Sequence, residues 1–361
     1  MSRSVAQRRQ AIVDLIASEG AQRVQDLATR FNISAVTLRR DIEELALAGA
    51  VLRTHGSVAP IPAGRPAPAH HRFTVGLVVP HSNYYYDGII AGAKAAAQAA
   101  GVRLVLGVSA YDRETEFQQG ARLVANGVDG LVIAPTPDPA TGDLDAAQQQ
   151  WLGSLPVPVV LVERPVAPGG PAAILDAVGS SHMIGAAAAI RHLADLGHTK
   201  LACLMISGPN SAQIAAGYAA AVDSLGLSSL GIIAEGAPGS NDAAGEMLRL
   251  LDDGATALFI HNDQLAIRAM AWIQDSGRSI PGDVSIVGYD DVIASFAPVP
   301  LTTVSPWRST VGERSVQLLL ERLRRPAGGT DAGTDDGAAA AEHVLLVPRL
   351  IVRESSAPPR Q

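Results

Sequence analysis

The stretch NISAVTLRRDIEELALAGAVLRTHG, residues 32 to 56, predicts a recognition helix followed by a short basic strand. Ser34 is a good N-cap, and Leu38, Ile42 and Leu45 recur at the spacing of one helix face. An apolar stripe of this kind needs a small hydrophobic core beneath it. The stretch therefore predicts a helix that is anchored on one side and exposed on the other.

The opposite face of the predicted helix carries side chains that suit a DNA major groove. At about 100° per residue, Val36 and Arg40 point away from the apolar stripe, with Thr37 and Arg39 beside them. Guanidinium groups donate hydrogen bonds to guanine edges and phosphates, and methyl groups contact thymine. The alternative is a solvated charge run with an internal pair between Arg39 and Glu43. The residues around the stretch favour the first interpretation.

Two further helices precede the stretch and give a helix-turn-helix order. RRQAIVDLIASEG (residues 8–20) and VQDLATRF (residues 24–31) supply them, and only the NIS turn separates the second from the recognition helix. Gly49 is expected to end that helix, and AVLRTHG forms a strand where a wing would meet the DNA backbone. The predicted DNA contacts are Ser34, Val36, Thr37, Arg39, Arg40, Arg53 and His55.

These residues resemble the DNA-binding domain of the DeoR family of bacterial winged-helix repressors. The family pattern has an opening Arg, then Leu-Ala-x-x-Phe, Ser-x-x-Thr-hydrophobic-Arg-Arg-Asp and Arg-x-His-Gly-Gly. The matching residues are Arg9, Leu27, Ala28, Phe31, Ser34, Thr37, Leu38, Arg39, Arg40, Asp41, Arg53, His55 and Gly56. Only Ser57 departs, where a second Gly is usual. The resemblance implies a winged helix-turn-helix domain over residues 1 to 57 that binds double-stranded operator DNA.

Charge divides the chain into two unlike parts. Residues 1 to 57 hold 8 Arg and 6 acidic residues, a net charge of +2, whereas the remaining residues include 20 basic and 29 acidic ones. The first part can favour a polyanion, and the second repels one. Because a charge of +2 is modest, we expect a homodimer, which doubles the number of phosphate contacts.

Composition excludes several classes of protein. At 361 residues and 47% hydrophobic content, the chain can bury more than one core. The single cysteine, Cys203, lies in an apolar run and is expected to be a buried small hydrophobe. No leader or membrane-spanning run occurs, so a cytoplasmic protein is expected. Phosphate-loop, nucleophile and metal-ligand motifs are also missing from the sequence, so we expect no catalysis, metal or cofactor.

Beyond the first domain, a Pro- and Ala-rich linker over residues 58 to 72 leads into strands that alternate with helices. Continuous apolar runs such as FTVGLVV and DGLVIA are typical of parallel sheets covered on both faces. We predict an α/β architecture of two doubly wound lobes, with a ligand cleft at the carboxyl ends of the strands. Residues 326 to 341, acidic and Gly-rich, predict a disordered loop. The predicted bounds are 73–170 and 306–326 for lobe 1, and 171–303 and 342–355 for lobe 2.

The second part resembles the effector-binding domain of the LacI family, which is itself similar to periplasmic sugar-binding proteins. The landmarks are GLVVPHSNYYYDGIIAGAKAAA, GVDGLVIAP, LGHTKLACL, IPGDVSIVGYDD, PVPLTTV and LLVPRLIVRES. The resemblance implies a sugar or nucleoside effector, and dimer contacts through helices near residues 86–100 and 306–325. A Pro-rich linker stands where that family has a hinge helix, so we expect signalling without hinge-helix ordering.

Carried over residue by residue, the resemblance predicts ligand contacts from both lobes. Three consecutive tyrosines, including Tyr85 and Tyr86, exceed what packing requires in a chain with 4% aromatic residues. Asp290 is expected to accept hydrogen bonds from ligand hydroxyls, and its neighbour Asp291 to face solvent or bond within the hinge. The predicted effector contacts are Asn83, Tyr85, Tyr86, Asp112, Thr136, Glu163, Arg164, Asn262, Asp290 and Trp307.

Two positions depart from the LacI pattern. Ile214 stands where an Arg is common ahead of Gly217 and Tyr218, and Ser240 stands where an aromatic residue is common. The cleft is therefore expected to lack a bidentate donor and a stacking platform, and Trp307 is predicted to supply the platform.

Two alternatives stay open at the level of sequence. His81 and His261 are either ligand groups near the cleft or ordinary polar loop residues. DeoR-type domains usually precede an isomerase-like sugar-phosphate domain, so the alternative function is a sugar-phosphate-processing enzyme or a vestigial isomerase attached to a DNA-binding domain.

Overall fold

The computed structural model describes residues 5–47, 51–54, 56–60, 72–138, 142–164, 169–235, 242–324 and 340–360. The chain forms two compact units, Met1–His71 and Arg72–Gln361. The first has a three-stranded sheet, and the second has two six-stranded sheets. Within the described ranges, no helix is both long enough and apolar enough to cross a membrane.

The first unit is a winged helix-turn-helix domain. In chain order its elements are α1 (Val5–Glu19), β1 (Gln22–Arg23), α2 (Val24–Phe31), α3 (Ala35–Leu47), β2 (Leu52–Thr54) and β3 (Ser57–Ala59). The antiparallel strands have the order β1-β3-β2. Gly56 lies between β2 and β3 with a φ of 77°, a left-handed conformation that glycine adopts without steric cost.

The core of this unit forms between its three helices and the sheet. Leu38, Ile42 and Leu45 of α3 are buried and share one cluster with Ile12 of α1. The predicted apolar stripe of the recognition helix is therefore confirmed. Val58 of β3 is also fully buried in this cluster, so the domain continues past residue 57, where the sequence placed the start of the linker.

Three sequence predictions fall outside the described residues. They are the helix stop at Gly49, the extended linker over most of its length at residues 61–71, and the acidic loop over most of its length at residues 326–339. They stay predictions.

The second unit alternates strands and helices along its length. In chain order its elements are β4 (Thr74–Val79), α4 (Tyr85–Ala99), β5 (Arg103–Val108), α5 (Arg113–Ala125), β6 (Gly130–Ile133), α6 (Ala146–Ser154), β7 (Val159–Val162), β8 (Asp176–Ser180), α7 (His182–Asp195), β9 (Lys200–Ile206), α8 (Ser211–Ser224), β10 (Ser228–Glu235), α9 (Ala243–Asp252), β11 (Ala257–Ile260), α10 (Asp263–Asp275), β12 (Ser285–Tyr289), β13 (Thr302–Ser305), α11 (Arg308–Arg324), β14 (His343–Leu346) and β15 (Arg349–Ile351). Short 3-10 turns occur at Pro171–Ile174 and Ala294–Phe296.

Lobe 1 is built on a parallel sheet with the strand order β14-β8-β7-β6-β4-β5. Helices α4 and α11 cover one face, and α5 and α6 cover the other. Every residue of β6 and β7 is buried, which explains why both strands are unbroken apolar runs in the sequence.

Lobe 2 has the strand order β10-β9-β11-β12-β13-β15, and only β15 runs antiparallel to its neighbour. Helices α7 and α8 pack on one face and α9 and α10 on the other. Cys203 of β9 is buried with a free thiol, as the sequence predicted. The two-lobed α/β architecture is confirmed, with the correction that the second sheet is mixed rather than wholly parallel.

The chain passes between the lobes at points that differ from the sequence assignment. Lobe 2 was predicted to begin at residue 171, but Asp176 begins β8, which pairs with β7 in lobe 1. Strand β14 also joins lobe 1, so only β15 of the predicted tail enters the second sheet. An apolar run marks a strand without specifying its sheet. Contacts with distant parts of the chain decide which sheet a strand joins. For β8, one such contact is with α11 of lobe 1, where the Nε of Arg322 donates to the Asp176 carboxylate at 2.6 Å.

Candidate functional site

The recognition helix α3 begins at a side-chain cap. The hydroxyl oxygen of Ser34 accepts a hydrogen bond from the backbone N–H of Thr37 at 3.1 Å, as its predicted N-cap role requires. On the face opposite the buried stripe, Val36 is 75% exposed, and Arg39 and Arg40 are also exposed. A large apolar side chain left in solvent about one helical turn before two exposed arginines suits a surface that is covered when a groove is bound.

A buried carboxylate joins α3 to α1. Asp41 follows Arg40 in the chain, and its side chain is buried. Its carboxylate accepts hydrogen bonds from the Nε of Arg8 at 2.7 Å and from the Nε of Arg9 at 3.0 Å. Burial would raise the pKa of Asp41, but the two guanidinium groups outweigh burial and hold it below its usual range. Sequence reasoning matched Arg9 and Asp41 to a family pattern without giving them this positioning role.

The wing contacts stay predictions. Arg53 lies on β2, opposite Val58 of β3, but its side chain and the whole of His55 lie outside the part of the chain that the structure describes.

In the second unit, a cavity of about 450 Å³ lies at the carboxyl ends of strands from both sheets. Eight predicted contacts line it: Asn83, Tyr85, Tyr86, Thr136, Glu163, Arg164, Asn262 and Asp290. Carboxyl ends of parallel strands are where open α/β folds bind ligands, because the loops that follow the strands meet there. The family resemblance thus placed eight of its ten predicted contacts among the 21 residues of the lining.

Two predicted contacts, Asp112 and Trp307, are absent from the cavity lining. Asp112 caps α5, since its carboxylate accepts from the N–H of Thr115 at 2.7 Å, and its neighbour Tyr111 lines the cavity instead. The indole N–H of Trp307 donates to the carbonyl oxygen of Val347 at 2.9 Å, and Trp307 does not line the cavity, so the structure gives no support to the stacking platform that the sequence predicted.

Glu163 lines the cavity with both carboxylate oxygens already bonded. Tyr85 Oη and Ser180 Oγ each donate to Oε1 at 2.9 Å, and Oε2 lies 3.0 Å from the Ser180 N–H and 3.3 Å from Nε2 of His182. Burial would raise the pKa of Glu163, but these partners outweigh it and hold the pKa low. His182 in turn reaches Tyr289 of lobe 2 through Nδ1 at 2.9 Å. Glu163 therefore holds the hydroxyl of Tyr85 in place and, through His182, connects lobe 1 to lobe 2.

The lobe 2 side of the cavity contains a buried imidazole. His261 Nε2 lies 3.1 Å from Oδ1 of Asn210, and burial, followed by His182, lowers the pKa of His261 to about 4. Beside it, Asn262 uses its Oδ1 to cap α10 through Leu265 N–H at 2.8 Å. The sequence left the role of His261 open, and the structure places it in the lining.

Asp290 is buried at the end of β12 with its carboxyl group in the cavity lining. Burial, and after it the charge of Asp263, raises the pKa of Asp290 to about 8. Asp263 itself holds the next turn by accepting from the N–H groups of Val292 at 2.6 Å and Ile293 at 2.9 Å. Asp291 turns away to pair with Arg353 at 2.7 Å, which fits the hinge-bonded role expected for it.

Backbone strain is concentrated around the cavity. A positive φ occurs outside glycine in the loops after β4, β5, β7 and β12, at Tyr84 (50°), Ala110 (54°), Tyr111 (58°), Glu163 (55°), Asp290 (99°) and Asp291 (53°). Such conformations cost about 1 to 3 kcal/mol each and persist where surrounding structure enforces them, often at binding sites.

The two positions that depart from the LacI pattern differ in what the structure shows. Ile214 and Tyr218 are buried in the core of lobe 2, and the Tyr218 hydroxyl is 2.8 Å from Ser229 Oγ. Ser240 lies outside the described residues. Among the residues described, no group of His, Cys, Asp and Glu side chains is arranged to hold a metal ion.

Comparison with known families divides the chain as the fold does. Residues 8–61 match the DeoR-like helix-turn-helix domain, and residues 190–356 match the periplasmic binding protein-like domain. The first match ends just beyond β3, in agreement with a domain that includes the whole three-stranded sheet.

Individual relatives match most of the chain. The HTH-type transcriptional regulator DegA of Bacillus subtilis is 28% identical over 291 residues, 79% of this chain and 81% of that protein. A LacI family transcriptional regulator from Enterococcus faecium, solved with bound ribose, superposes with a TM-score of 0.62 at 25% identity, over 80% of this chain and 100% of the other. A dimeric Lac repressor with a C-terminal deletion gives a TM-score of 0.64 at 25% identity over the same shares.

Proposed function

We propose that this chain, a DNA-binding transcriptional regulator that joins a DeoR-like helix-turn-helix domain to a LacI-type effector domain, reads its operator with the exposed face of α3. A small sugar or nucleoside-like effector, bound between the two lobes, controls operator affinity. The regulator acts as a repressor in the cytoplasm, and neither domain is catalytic. The observation that carries this proposal is the two-sided build of α3, with its apolar stripe buried and Val36, Arg39 and Arg40 exposed.

Operator recognition follows from what the exposed face of α3 presents. Arg39 and Arg40 offer donors to guanine edges and phosphates, while Val36 and Thr37 offer methyl groups to thymine. The ion pairs of Asp41 beneath them tie α3 to α1. Arg53 and His55 of the wing add backbone contacts.

Effector control follows from a cavity that both lobes build. Tyr85 and Thr136 come from lobe 1, and Asn262 and Asp290 come from lobe 2. A ligand shifts an equilibrium only through contacts that differ between two states, and a ligand that bridges two lobes favours their closed arrangement. The coupling to DNA affinity is of order 1 to 3 kcal/mol.

A homodimer is part of the proposal, with α4 and α11 at its seam. These helices pack closely on each other at Gly92 and Gly312, where an added Cβ would meet backbone atoms of the facing helix. Their outer faces, including Lys94 and Gln317, remain exposed for a second copy. A monomeric mass by light scattering at micromolar concentration would contradict this part of the proposal.

The function is tested by selecting DNA from a random library with the full chain and measuring retardation of the selected sequence. The measurement is repeated with ribose, arabinose, glucose and adenosine. We expect one sequence to be enriched, and its retardation to change with at least one of these compounds. Failure to enrich any sequence would contradict operator recognition, whereas enrichment without any response would contradict effector control.

A further inference from the structure

Two residues at the end of β12 have backbone conformations that residues other than glycine rarely adopt. Asp290, which lines the cavity, has a φ of 99°, and Asp291, which follows it, has a φ of 53°. Such conformations are costly and persist where neighbouring groups enforce them. The groups that hold this turn therefore decide where the Asp290 carboxyl group lies.

Lobe 2 supplies two sets of contacts that hold the turn. Asp263, at the start of α10, accepts hydrogen bonds from the N–H groups of Val292 and Ile293. Arg353, in the segment that follows β15, donates through Nη2 to the Asp291 carboxylate at 2.7 Å. These contacts fix the side chain of Asp291 and the two residues that come after it.

A further contact with the turn comes from lobe 1. Arg308, the first residue of α11, donates through Nη2 to the carbonyl oxygen of Asp291 at 3.0 Å. Its guanidinium group also lies over the ring of Tyr85, with 5.8 Å between Cζ and the ring centroid. A cation at the N-terminus of a helix opposes the helix dipole, so α11 itself gains nothing from an arginine at this position. The contacts with Asp291 and Tyr85 explain the side chain better than the helix that it begins.

The backbone around Arg308 has little room to move against α4. A Cβ added at Gly88 would lie 2.9 Å from the Cβ of Arg308, and one added at Gly92 would lie 1.8 Å from the carbonyl oxygen of Ser309. At these glycines the first turn of α11 packs directly on the backbone of α4. Because both helices belong to lobe 1, the guanidinium group reaches lobe 2 from a rigid base.

Arg308 influences the cavity although it is absent from the lining. Burial, and after it the charge of Asp263, raises the pKa of Asp290, and the positive charge of Arg308 partly offsets that rise. Its hydrogen bond to the next residue, Asp291, acts on the same turn. Arg308 therefore affects the cavity through Asp290 rather than by lining it.

From these contacts we infer that Arg308 is a positioning residue, which holds the strained Asp290–Asp291 turn of lobe 2 in place from lobe 1. A lobe movement that separates Arg308 from the Asp291 carbonyl oxygen releases the turn, so it alters the placement of Asp290 as well as the width of the cleft. The inference rests on the proposed function for its meaning in regulation. It adds a residue outside the lining on which effector binding depends.

The test is amide hydrogen exchange of the full chain without DNA or effector. Arg308→Met keeps an unbranched side chain beside Tyr85 but removes the donors, so the amides of Val292 and Ile293 should exchange about fivefold faster, as for the loss of one hydrogen bond. Arg308→Lys keeps the charge and a donor, and its exchange should lie between that of Arg308→Met and the parent. Unchanged exchange at both amides in Arg308→Met would overturn the inference, even where α11 itself exchanges faster, because a role confined to α11 predicts that pattern.

Arg314→Met is the matched control. Arg314 lies on the same helix and pairs with Glu321 at 2.7 Å, so its loss disturbs α11 without removing a contact with the turn. Equal acceleration at the two amides in Arg314→Met and Arg308→Met would also overturn the inference, since general loosening of α11 would account for it.

Protection of β6 and β11, which are internal strands of the two sheets, shows that each variant is folded. If Arg308→Met loses this protection, Arg308→Gln gives the same comparison, because it shortens the side chain and removes the charge while keeping an amide. The exchange experiment is independent of the proposed function. Absence of DNA retardation would contradict the proposed function and leave this result in place, whereas unchanged exchange would remove the inference and leave the proposed function in place.

Discussion

The indole N–H of Trp307 donates a hydrogen bond to the carbonyl oxygen of Val347 at 2.9 Å. Trp307 lies where the chain passes from β13 to α11, and Val347 lies where it passes from β14 to β15. Near the third passage, the N–H of Ser181 donates to the carbonyl oxygen of Leu346 at 2.9 Å. The three connections between the lobes are therefore joined to one another, and Trp307 is a hinge residue.

Replacing Trp307 with Phe should change the response to effector more than the affinity for it. The variant keeps an aromatic ring beside Arg349 but removes the hydrogen bond to Val347. Calorimetry should give an effector affinity within about threefold of the parent, since a hydrogen bond outside the cavity contributes about 1 kcal/mol or less to the binding free energy. The ratio of operator affinities with and without effector is expected to change. A large loss of effector affinity would instead indicate that Trp307 contacts the ligand.

Replacing Arg40 with Ala should abolish sequence-specific DNA binding without affecting the effector domain. Arg40 is exposed on the face of α3 opposite the buried stripe, and a good base contact contributes about 1 to 3 kcal/mol per half-site. Arg103→Ala, an exposed arginine of β5, is the matched control. Gel retardation of the selected operator distinguishes them. If Arg40→Ala binds as tightly as Arg103→Ala, α3 does not read the operator through this residue.

The sequence predicted the order of helices and strands because each element has a local cause. Ser34 caps α3 through a neighbouring N–H, and unbroken apolar runs mark β6 and β7 as buried strands. It assigned β8 and β14 to the wrong lobe, since pairing between strands distant in sequence leaves no local mark.

The same limit applies to the cavity. Family position located Asp290 and Tyr85, which line it, but could not show that the oxygens of Glu163 are bonded to Tyr85, Ser180 and His182. Nor could it separate Asp112 from its neighbour Tyr111, because one residue along a loop reverses which side chain faces inward. Distances between separate elements decide such questions.

Replacing Asp41 with Asn should loosen the packing of α1 on α3. The substitution leaves the partly buried Arg8 and Arg9 without their carboxylate, at an expected cost of about 1 to 3 kcal/mol. Hydrogen exchange on the full chain should show faster exchange in both helices and no change in β6 or β7. Asp26→Asn, at an exposed position of α2, is the control. Unchanged protection in α1 would show that these ion pairs do not hold the helices together.

Replacing Asp290 with Ala should remove effector binding, whereas Asp112→Ala should not. Both residues were predicted to contact the ligand, but only Asp290 lines the cavity, and Asp112 caps α5. Loss of a buried group that bonds a ligand hydroxyl costs roughly 1 to 3 kcal/mol, a tenfold or larger loss of affinity. Calorimetry with whichever of ribose, arabinose, glucose and adenosine changes the DNA retardation gives the comparison. Equal losses of affinity in the two variants would show that the ligand contacts have been assigned to the wrong residues. Undiminished affinity in Asp290→Ala would show that this carboxyl group does not contribute to effector binding.

The stability of the effector domain should depend on the ionisation of Asp290. Its pKa in the folded chain is about 8, above the value of about 4 for an unfolded Asp, so the folded state holds the proton more tightly. Below about pH 4, Asp290 is protonated in both the folded and the unfolded chain, so it does not lower the stability of the folded domain. As the pH rises from about 4 towards about 8, the unfolded chain releases this proton more readily, and the free energy of unfolding falls. In Asp290→Asn this loss disappears, so the variant should gain stability relative to the parent by up to about 1.4 kcal/mol per pH unit across that window.

Denaturant unfolding between about pH 5 and 8 measures this difference. Tryptophan fluorescence reports only on the effector domain, because all 3 tryptophans, Trp151, Trp272 and Trp307, follow residue 72. Asp112→Asn is the control, since the hydrogen bonds from Thr115 lower the pKa of Asp112 and any stability it contributes is lost only in acid. A difference between parent and Asp290→Asn that stays constant across the window would mean that Asp290 is already ionised at its lower end, and that the cavity accommodates a buried anion.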